Sequence, residues 1–483
     1  MSQRLDNRSR VCLAVLALLL AMQIKWWWEP TPDGSAYLSI AKHMSEGRLA
    51  RFDSPHLKYA PGYPMVVAPA FWISDKPFLA ISLIHWGLAV GLLAGVFVWF
   101  RRLVGPKAAL PTTALVMLNV GLWSIYRQTL SELAFMMGLM WSVYGLARLA
   151  ECPTRRGTAI WTACSIVMLI FTCYVRQVGV FLIGGFAMAM AVRAYRRDQD
   201  WRRAAGITAA VGCPVLVALA ALVGWDHRMA AVAGGDAKSY HQYMVAEGVT
   251  ASVQVAEGIR LRISEFGRLL IPGMHKAYAN TGEWLHYNTI LYAAVAVVLA
   301  GCWWTQCRRT NDALLWMVPI YVAFFATWPF DQGTRYMVPL LPALVLCLWT
   351  ALERVNVRQG TVICLIALHA CVAVGEWIRD VEYRDSNQIW GQLAELTEPM
   401  SDDGGELGIG RVDVDLYAML LLETDRLPQS PRGERVLAAR FPVWLIFPIE
   451  EAIPEGYTER RRIGALQLLQ LNHEKPQTVT LGN

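Results

Sequence analysis

The sequence predicts an α-helical polytopic membrane protein with a soluble tail. Three observations lead there. The 483 residues are 55% hydrophobic and only 17% charged, whereas soluble domains carry nearer a quarter charged residues. Apolar runs of roughly 17–25 residues recur along the chain, each long enough to cross a hydrocarbon core. The basic residues behind the net charge of +6 sit in short loops between those runs. That placement is how membrane proteins set their orientation, and it argues against a nucleic-acid partner.

The first run spans residues 11–28 and follows Arg4, Arg8 and Arg10. No small-residue cleavage site succeeds it, so it reads as a retained helix with a cytoplasmic N-terminus and not as a signal peptide. Trp26, Trp27 and Trp28 read as an interfacial anchor. Further spans read as 78–100, 108–126, 133–149, 158–174, 177–192, 204–225, 286–304, 313–329, 336–352 and 361–379, about eleven in all. The loops assigned to the inside are all basic, carrying Arg101, Arg102 and Lys107, then Arg155 and Arg156, then Arg193, Arg196, Arg197, Arg202 and Arg203, then Arg308 and Arg309, then Arg354 and Arg358. An odd number of spans puts the C-terminal tail outside.

Residues 1–379 therefore form the membrane domain, with long outer loops at 29–77 and 226–285, and residues 380–483 form an extracytoplasmic soluble α/β tail. In the tail, "GELGIG" and "PVWLIFPIE" read as strands and "DLYAMLLLETD" as a helix. The ten cysteines lie in or beside apolar runs without CxxC or His partners, and they read as small buried apolar residues, not as disulfides or zinc ligands.

Both long loops predict outer-face helices able to rest on the membrane surface or, alternatively, to cap the bundle. In the first, Tyr37, Ile40, Ala41 and Met44 make one apolar face, and Gly47 is a stop. In the second, Val255, Ile259, Ile263, Phe266 and Leu270 make a stripe, with Glu257, Arg260 and Arg268 off it. The outer histidines His43, His56, His241 and His275 read as solvated loop residues, with a metal or base role as the alternative.

The candidate chemistry gathers on the outer side. Asp33 follows the first span and precedes the helix beginning near Ser35. It reads either as an N-cap or as a carboxylate with partners in the outer turns. Those turns hold Arg127 and Glu132, then Arg176, then Asp331 and Arg335. Ionisable side chains at a bundle edge usually face a cavity and not lipid. An arginine in each tight outer turn runs against the inside bias of basic residues, and an anionic ligand such as a phosphate explains it better than snorkelling. Lys58, in "KYAPGYP", adds a cation on a backbone held non-helical by Pro61, Gly62 and Pro64.

Taken in order, "PDGSAYLSIAKHMSEG", "YAPGYPMVVAPAF", "SELAFMMGLM", "YVRQVGVFLIGG" and "GTRYMVPLLPAL" resemble the GT-C superfamily of membrane glycosyltransferases, in the style of bacterial protein O-mannosyltransferases and lipid A aminoarabinose transferases. The resemblance covers roughly residues 11–352. It implies a GT-C-like fold in the inner membrane of a bacterium, a polyprenyl-phosphate sugar donor, an active site on the extracytoplasmic face, and a cell-envelope acceptor that is lipid, glycan or protein. It implies Asp33 as catalytic base and Glu132 as the second acidic residue. Lys58, Tyr59, Tyr37, Arg176, Arg335 and Tyr336 become candidates for binding the lipid phosphate or sugar. The chain has Asp33–Gly34 where the O-mannosyltransferases pair Asp with Glu, and it lacks a DxD metal site there. No cofactor is required by this reading, and a divalent metal stays open. With one carboxylate serving as base for an acceptor that attacks from the far side, transfer would invert the anomeric centre. The alternatives are a transporter or flippase for a lipid-linked sugar and a non-catalytic envelope-assembly protein.

Overall fold

The computed structural model describes residues 6–26, 28, 31–47, 59–152, 154–196, 201–232, 251–271, 282–328, 334–357 and 359–380, together with four short strands in the tail. The helices are α1 (Asn7–Ala21), α2 (Pro32–Ser45), α3 (Gly62–Val67), α4 (Phe78–Leu103), α5 (Pro106–Met117), α6 (Val120–Arg127), α7 (Glu132–Glu151), α8 (Arg155–Val175), α9 (Phe181–Arg196), α10 (Trp201–Val232), α11 (Ala251–Leu270), α12 (Gly282–Thr310), α13 (Ala313–Ala326), α14 (Leu341–Arg354) and α15 (Gln359–Asp380). Among the described residues, five helices are long and apolar enough to cross a membrane, and α5 with α6 would make a sixth if that pair, bent by 50°, is one span. The helix α13 and the segment Val362–Gly375 are apolar but shorter.

The bend between α5 and α6 has a local cause. Asn119 leaves the helical conformation and accepts a hydrogen bond from Gly121 N at 2.9 Å, so it ends one ladder and caps the next. Its amide also donates to Leu269 O at 2.7 Å, which ties the break to α11.

The core is a continuous apolar cluster threaded by α4, α7 and α14. α7 packs between α4 and α8, and α9 packs on α13. α7 has 20 residues, so its ends lie about 30 Å apart at 1.5 Å per residue. One end of the bundle begins at Glu132 and the other ends at Glu151. The two ends are called the Asp33 end and the Asp312 end below.

Several expectations are corrected. α1 ends at Ala21, and the tryptophans beyond it diverge. Trp26 is exposed, but Trp28 is buried and stacks on Phe78 with ring centroids 5.8 Å apart. Trp28 is a core residue, not an anchor. α2 is not a surface helix either, since Ser35 through Ala41 are all buried. His43 is buried as well, so the solvated reading fails for it; His56, His241 and His275 lie outside the described residues. Gly47 does end α2, in a left-handed conformation (φ 71°) that suits glycine.

α11 departs from the expected pattern over part of its length. Val255 and Ile259 from the apolar stripe are exposed while Arg262, Glu265 and Arg268 are buried, although Leu270 is buried and Arg260 exposed as expected. A helix facing lipid on one side puts its polar residues inward, the reverse of the water-facing wheel. Of the ten cysteines, Cys173, Cys302, Cys307 and Cys347 are buried, but Cys12, Cys164, Cys213, Cys364 and Cys371 are exposed. The uniformly buried reading fails, because those five sit on the outward faces of apolar helices.

In the tail, strands β1 (Leu407–Ile409), β2 (Trp444–Pro448), β3 (Tyr457–Ile463) and β4 (Leu466–Leu471) form one sheet in the order β1-β2-β4-β3. β1 and β2 are the two expected strands and pair in parallel. β3 and β4 form an unforeseen antiparallel hairpin, irregular between Glu459 and Arg461. The expected helix "DLYAMLLLETD" lies outside the described residues.

Candidate functional site

The Asp33 end assembles its charges from separate chain segments. α2 starts one residue before Asp33, and the cap is Thr31, whose hydroxyl accepts from Gly34 N at 3.1 Å. The capping role is therefore filled by a neighbour, and the Asp33 carboxylate reaches across the site. One oxygen accepts from Tyr59 OH at 2.6 Å, and the other pairs with Arg335 Nη1.

Glu132 opens α7 and is fully buried. A carboxylate there faces the positive end of the helix dipole, but burial of an ion still costs several kcal/mol unless it is paired. Two guanidinium groups supply the pairing. Arg176 Nη1 and Arg335 Nε both donate to Glu132 Oε1. Glu132 Oε2 is buried and accepts no hydrogen bond among the described residues.

Arg176 sits in the break between α8 and the 3-10 turn Gln177–Val180. Close packing holds that break in place. A side chain at Gly62, which opens α3, would come within 2.6 Å of the Tyr174 and Val175 backbone, so glycine lets α3 lie against the C-terminus of α8. The Arg176 guanidinium lies 6.0 Å from the Phe135 ring centre and 5.9 Å from that of Tyr336, distances at which aromatic faces attract cations. Tyr336 is held in turn by stacking on Phe325, with centroids 4.7 Å apart, and its carbonyl accepts from Tyr321 OH at 2.9 Å. Arg335 lies in the turn just before Tyr336. Burial opposes its charge, but Glu132 and Asp33 hold its guanidinium well above the usual range. The same balance, with Glu132 the main opposing charge, raises Arg176.

Tyr37 completes the group. Its hydroxyl and Ser131 Oγ lie 3.0 Å apart, and its ring meets Tyr59 and Tyr63 edge-on at 5.0 and 5.1 Å. Burial pushes its phenol up to about 12, so it stays neutral over the working pH range. Behind it, Tyr63 OH and His85 Nε2 lie 2.7 Å apart.

Of the residues named from the sequence, Asp33, Glu132, Arg176, Arg335, Tyr59, Tyr37 and Tyr336 thus come together, while Lys58 lies outside the described residues. Arg127 does not join them. It lines a separate small cavity with Gln23, Lys25 and Thr129, so the idea of a shared site for all three turn arginines is corrected. The sequence reading missed Arg262 and Glu265. They form an ion pair of 3.0 Å, and the Arg262 guanidinium lies 5.6 Å from the Tyr336 ring centre. The sequence reading placed Glu257, Arg260 and Arg268 off the apolar stripe and passed over these two, which stand three residues apart on the same helix.

The cluster does not suit a divalent metal. Its two carboxylates both pair with Arg335, and two arginines beside them would repel a dication. Among the described residues there is no group of three or more His, Cys, Asp or Glu placed to hold a metal.

No protein-family model and no curated protein sequence matches the chain. Solved structures do. ArnT from Cupriavidus metallidurans bound to undecaprenyl phosphate matches with a TM-score of 0.56 at 11% identity, over 97% of this chain and 99% of that one. Its apo state gives 0.56 at 13% identity, over 95% and 97%. The Archaeoglobus fulgidus oligosaccharyltransferase in complex with Zn and sulfate gives 0.51 at 13% identity, over 87% of this chain and 62% of that one. The chain therefore shares the fold of these solved structures, as the resemblance of its ordered motifs led one to expect.

Proposed function

We propose that this chain is a membrane glycosyltransferase. It takes a sugar from a polyprenyl-phosphate donor and transfers it to a hydroxyl of a cell-envelope acceptor at the Asp33 end, which faces outward. The observation that carries this reading is the convergence of two carboxylates and two arginines, drawn from four segments far apart in sequence, at one end of an apolar helix bundle. The shared fold with a protein seen bound to undecaprenyl phosphate supports the choice of donor.

In this mechanism the acceptor oxygen attacks the anomeric carbon while Asp33 takes its proton. The bond from the anomeric carbon to the phosphate oxygen breaks, and its electron pair leaves with the lipid phosphate. That leaving group needs charge stabilisation and not a proton, and Arg176 and Arg335 supply it with planar forks suited to phosphate oxygens. Lys58 would add a third cation. Attack opposite the leaving group inverts the anomeric centre. Glu132 fixes both arginines through Oε1, and its Oε2 would accept from a sugar hydroxyl. Tyr59 keeps the Asp33 carboxylate oriented. The donor phosphate competes with Asp33 for Arg335, so donor binding releases the base to the acceptor.

The test uses the purified full chain in proteoliposomes with a radiolabelled polyprenyl-phosphate sugar and envelope lipid extract. Asp33→Asn should abolish transfer while retaining the donor. If Asp33→Asn transferred at the parent rate, the base assignment would be wrong. Label crossing the bilayer without any product would favour the transporter instead.

A further inference from the structure

The Asp312 end holds a cavity of about 280 Å³ that the transfer chemistry does not use. Arg102, Arg193, Arg196, Arg309, Glu151 and Asp312 line its polar part. Both carboxylates are bound by one arginine. Arg102 Nη1 donates to Asp312 Oδ2 at 2.8 Å, and its Nε donates to Glu151 at 3.1 Å. Asp312 is further engaged by Trp99 Nε1 at 3.2 Å and by Leu314 N at 3.0 Å, where it caps α13. Four arginines against two carboxylates leave the described lining with a net positive charge.

Capping of helix ends accounts for part of this. Arg193 Nη1 donates to Ala150 O in the last turn of α7, and Arg196 Nη1 donates to Arg308 O in the last turn of α12. Cations belong at such ends. Each bond uses one of the five donors that a guanidinium carries, and the same arginines also line the cavity. Val143, Leu146, Phe186 and Met190 line its apolar part, so a phosphate held by the arginines would have carbon atoms beside it.

We propose that this cavity binds the phosphate of an anionic membrane lipid. The site lies where α4, α7 and α9 end together, at the level where lipid headgroups meet a helix bundle, and basic pockets between span ends suit such headgroups. The volume is near the small end of ligand pockets, enough for a phosphate and its glycerol. A soluble phosphate ester carries the same chemistry, so the experiment separates the two sources.

The full chain is reconstituted in nanodiscs of phosphatidylcholine alone or with phosphatidylglycerol, and bound lipid is read by native mass spectrometry and by thermal unfolding. Retained phosphatidylglycerol and a higher Tm in the anionic nanodiscs are expected. Arg309→Gln combined with Arg193→Gln should bind it about tenfold or more weakly, as loss of charge-assisted contacts predicts. Arg309→Lys, which keeps the charge, should retain part of the binding and checks that the change is not misfolding. Glycerol 3-phosphate added to phosphatidylcholine nanodiscs is the second arm: stabilisation there but not with phosphatidylglycerol would assign the site to a soluble ester and overturn the lipid. Equal phosphatidylglycerol retention by parent and double variant would overturn the site itself.

Discussion

The two ends of the bundle use the same side chains to opposite effect. At the Asp33 end, carboxylates open the helices: Asp33 lies in the first turn of α2 and Glu132 is the first residue of α7. Their arginines come from the turns between helices. At the Asp312 end, arginines close helices, as Arg102 does for α4 and Arg193 and Arg196 do for α9. Each arrangement matches the helix dipole locally, save that Glu151 closes α7, where Arg102 pairs with it. The difference lies in what is left over. The Asp33 cluster is nearly closed on itself, with Arg335 bridging both acids and only Glu132 Oε2 lacking a donor among the described residues. The Asp312 cluster surrounds an open cavity. A site poised for chemistry keeps its charges mutually neutralised until substrate competes for them. A site that merely holds an anion can stay open.

That contrast is broken most severely at Asp33. In the proposed mechanism Asp33→Asn removes the base, a role typically worth 10²–10⁴-fold, so the turnover rate should fall by about that factor while Tm moves little. A full-rate variant would reduce the Asp33 end to the same passive role as its counterpart. Next comes Arg335→Gln, which removes a charge from both acids and, in the proposed mechanism, from the leaving phosphate. Loss of one preorganised donor costs about 10²–10³ in rate, and here donor affinity should weaken as well, seen in a lipid-phosphate binding assay. An effect on Tm alone would make Arg335 a structural partner of Glu132 and nothing more. On the far side, Asp312→Asn loses a charged hydrogen bond to Arg102, worth about 1.5–3 kcal/mol. It should lower Tm without changing the transfer rate of the protein that remains folded. A matching loss of rate would mean that the ends are coupled.

How much of this could be read from the sequence depends on where a residue's partners lie. Glu132, Arg176 and Arg335 were legible because ionisable residues interrupting apolar hairpins at one end have few other places to go. Arg127 carried the same signal and faces a different cavity; the turn that bears it does not encode the direction of its side chain. The capping alternative for Asp33 was undecidable from composition, since Thr31 and Asp33 are both good caps and only the backbone shows that α2 begins at Pro32. Arg262 and Glu265 were missed, and the burial of Arg268 with them, for a more general reason. A helical wheel was read as if water lay outside, and in α11 the charged face packs inward beside Tyr336. The fold shared with the solved structures was legible from the order of weak motifs, none of which would have sufficed alone.

The smallest effect separates orientation from charge at the Asp33 end. Tyr37 is fully buried against Ser131, Tyr59 and Tyr63, and its phenol, pushed up to about 12 by burial, carries no charge that the mechanism could use. Tyr37→Phe therefore removes one neutral hydrogen bond, worth about 0.5–1.5 kcal/mol, and leaves the edge-on ring contacts in place. The expected result is a modest fall in Tm and a rate within about tenfold of the parent. The shape of the pH–rate profile should not change, because the proton lost with the hydroxyl does not titrate in the range where the enzyme works. If the alkaline limb of that profile moved instead, Tyr37 would be exchanging a proton with the reacting centre. The two carboxylates and two arginines would then no longer account for the chemistry by themselves.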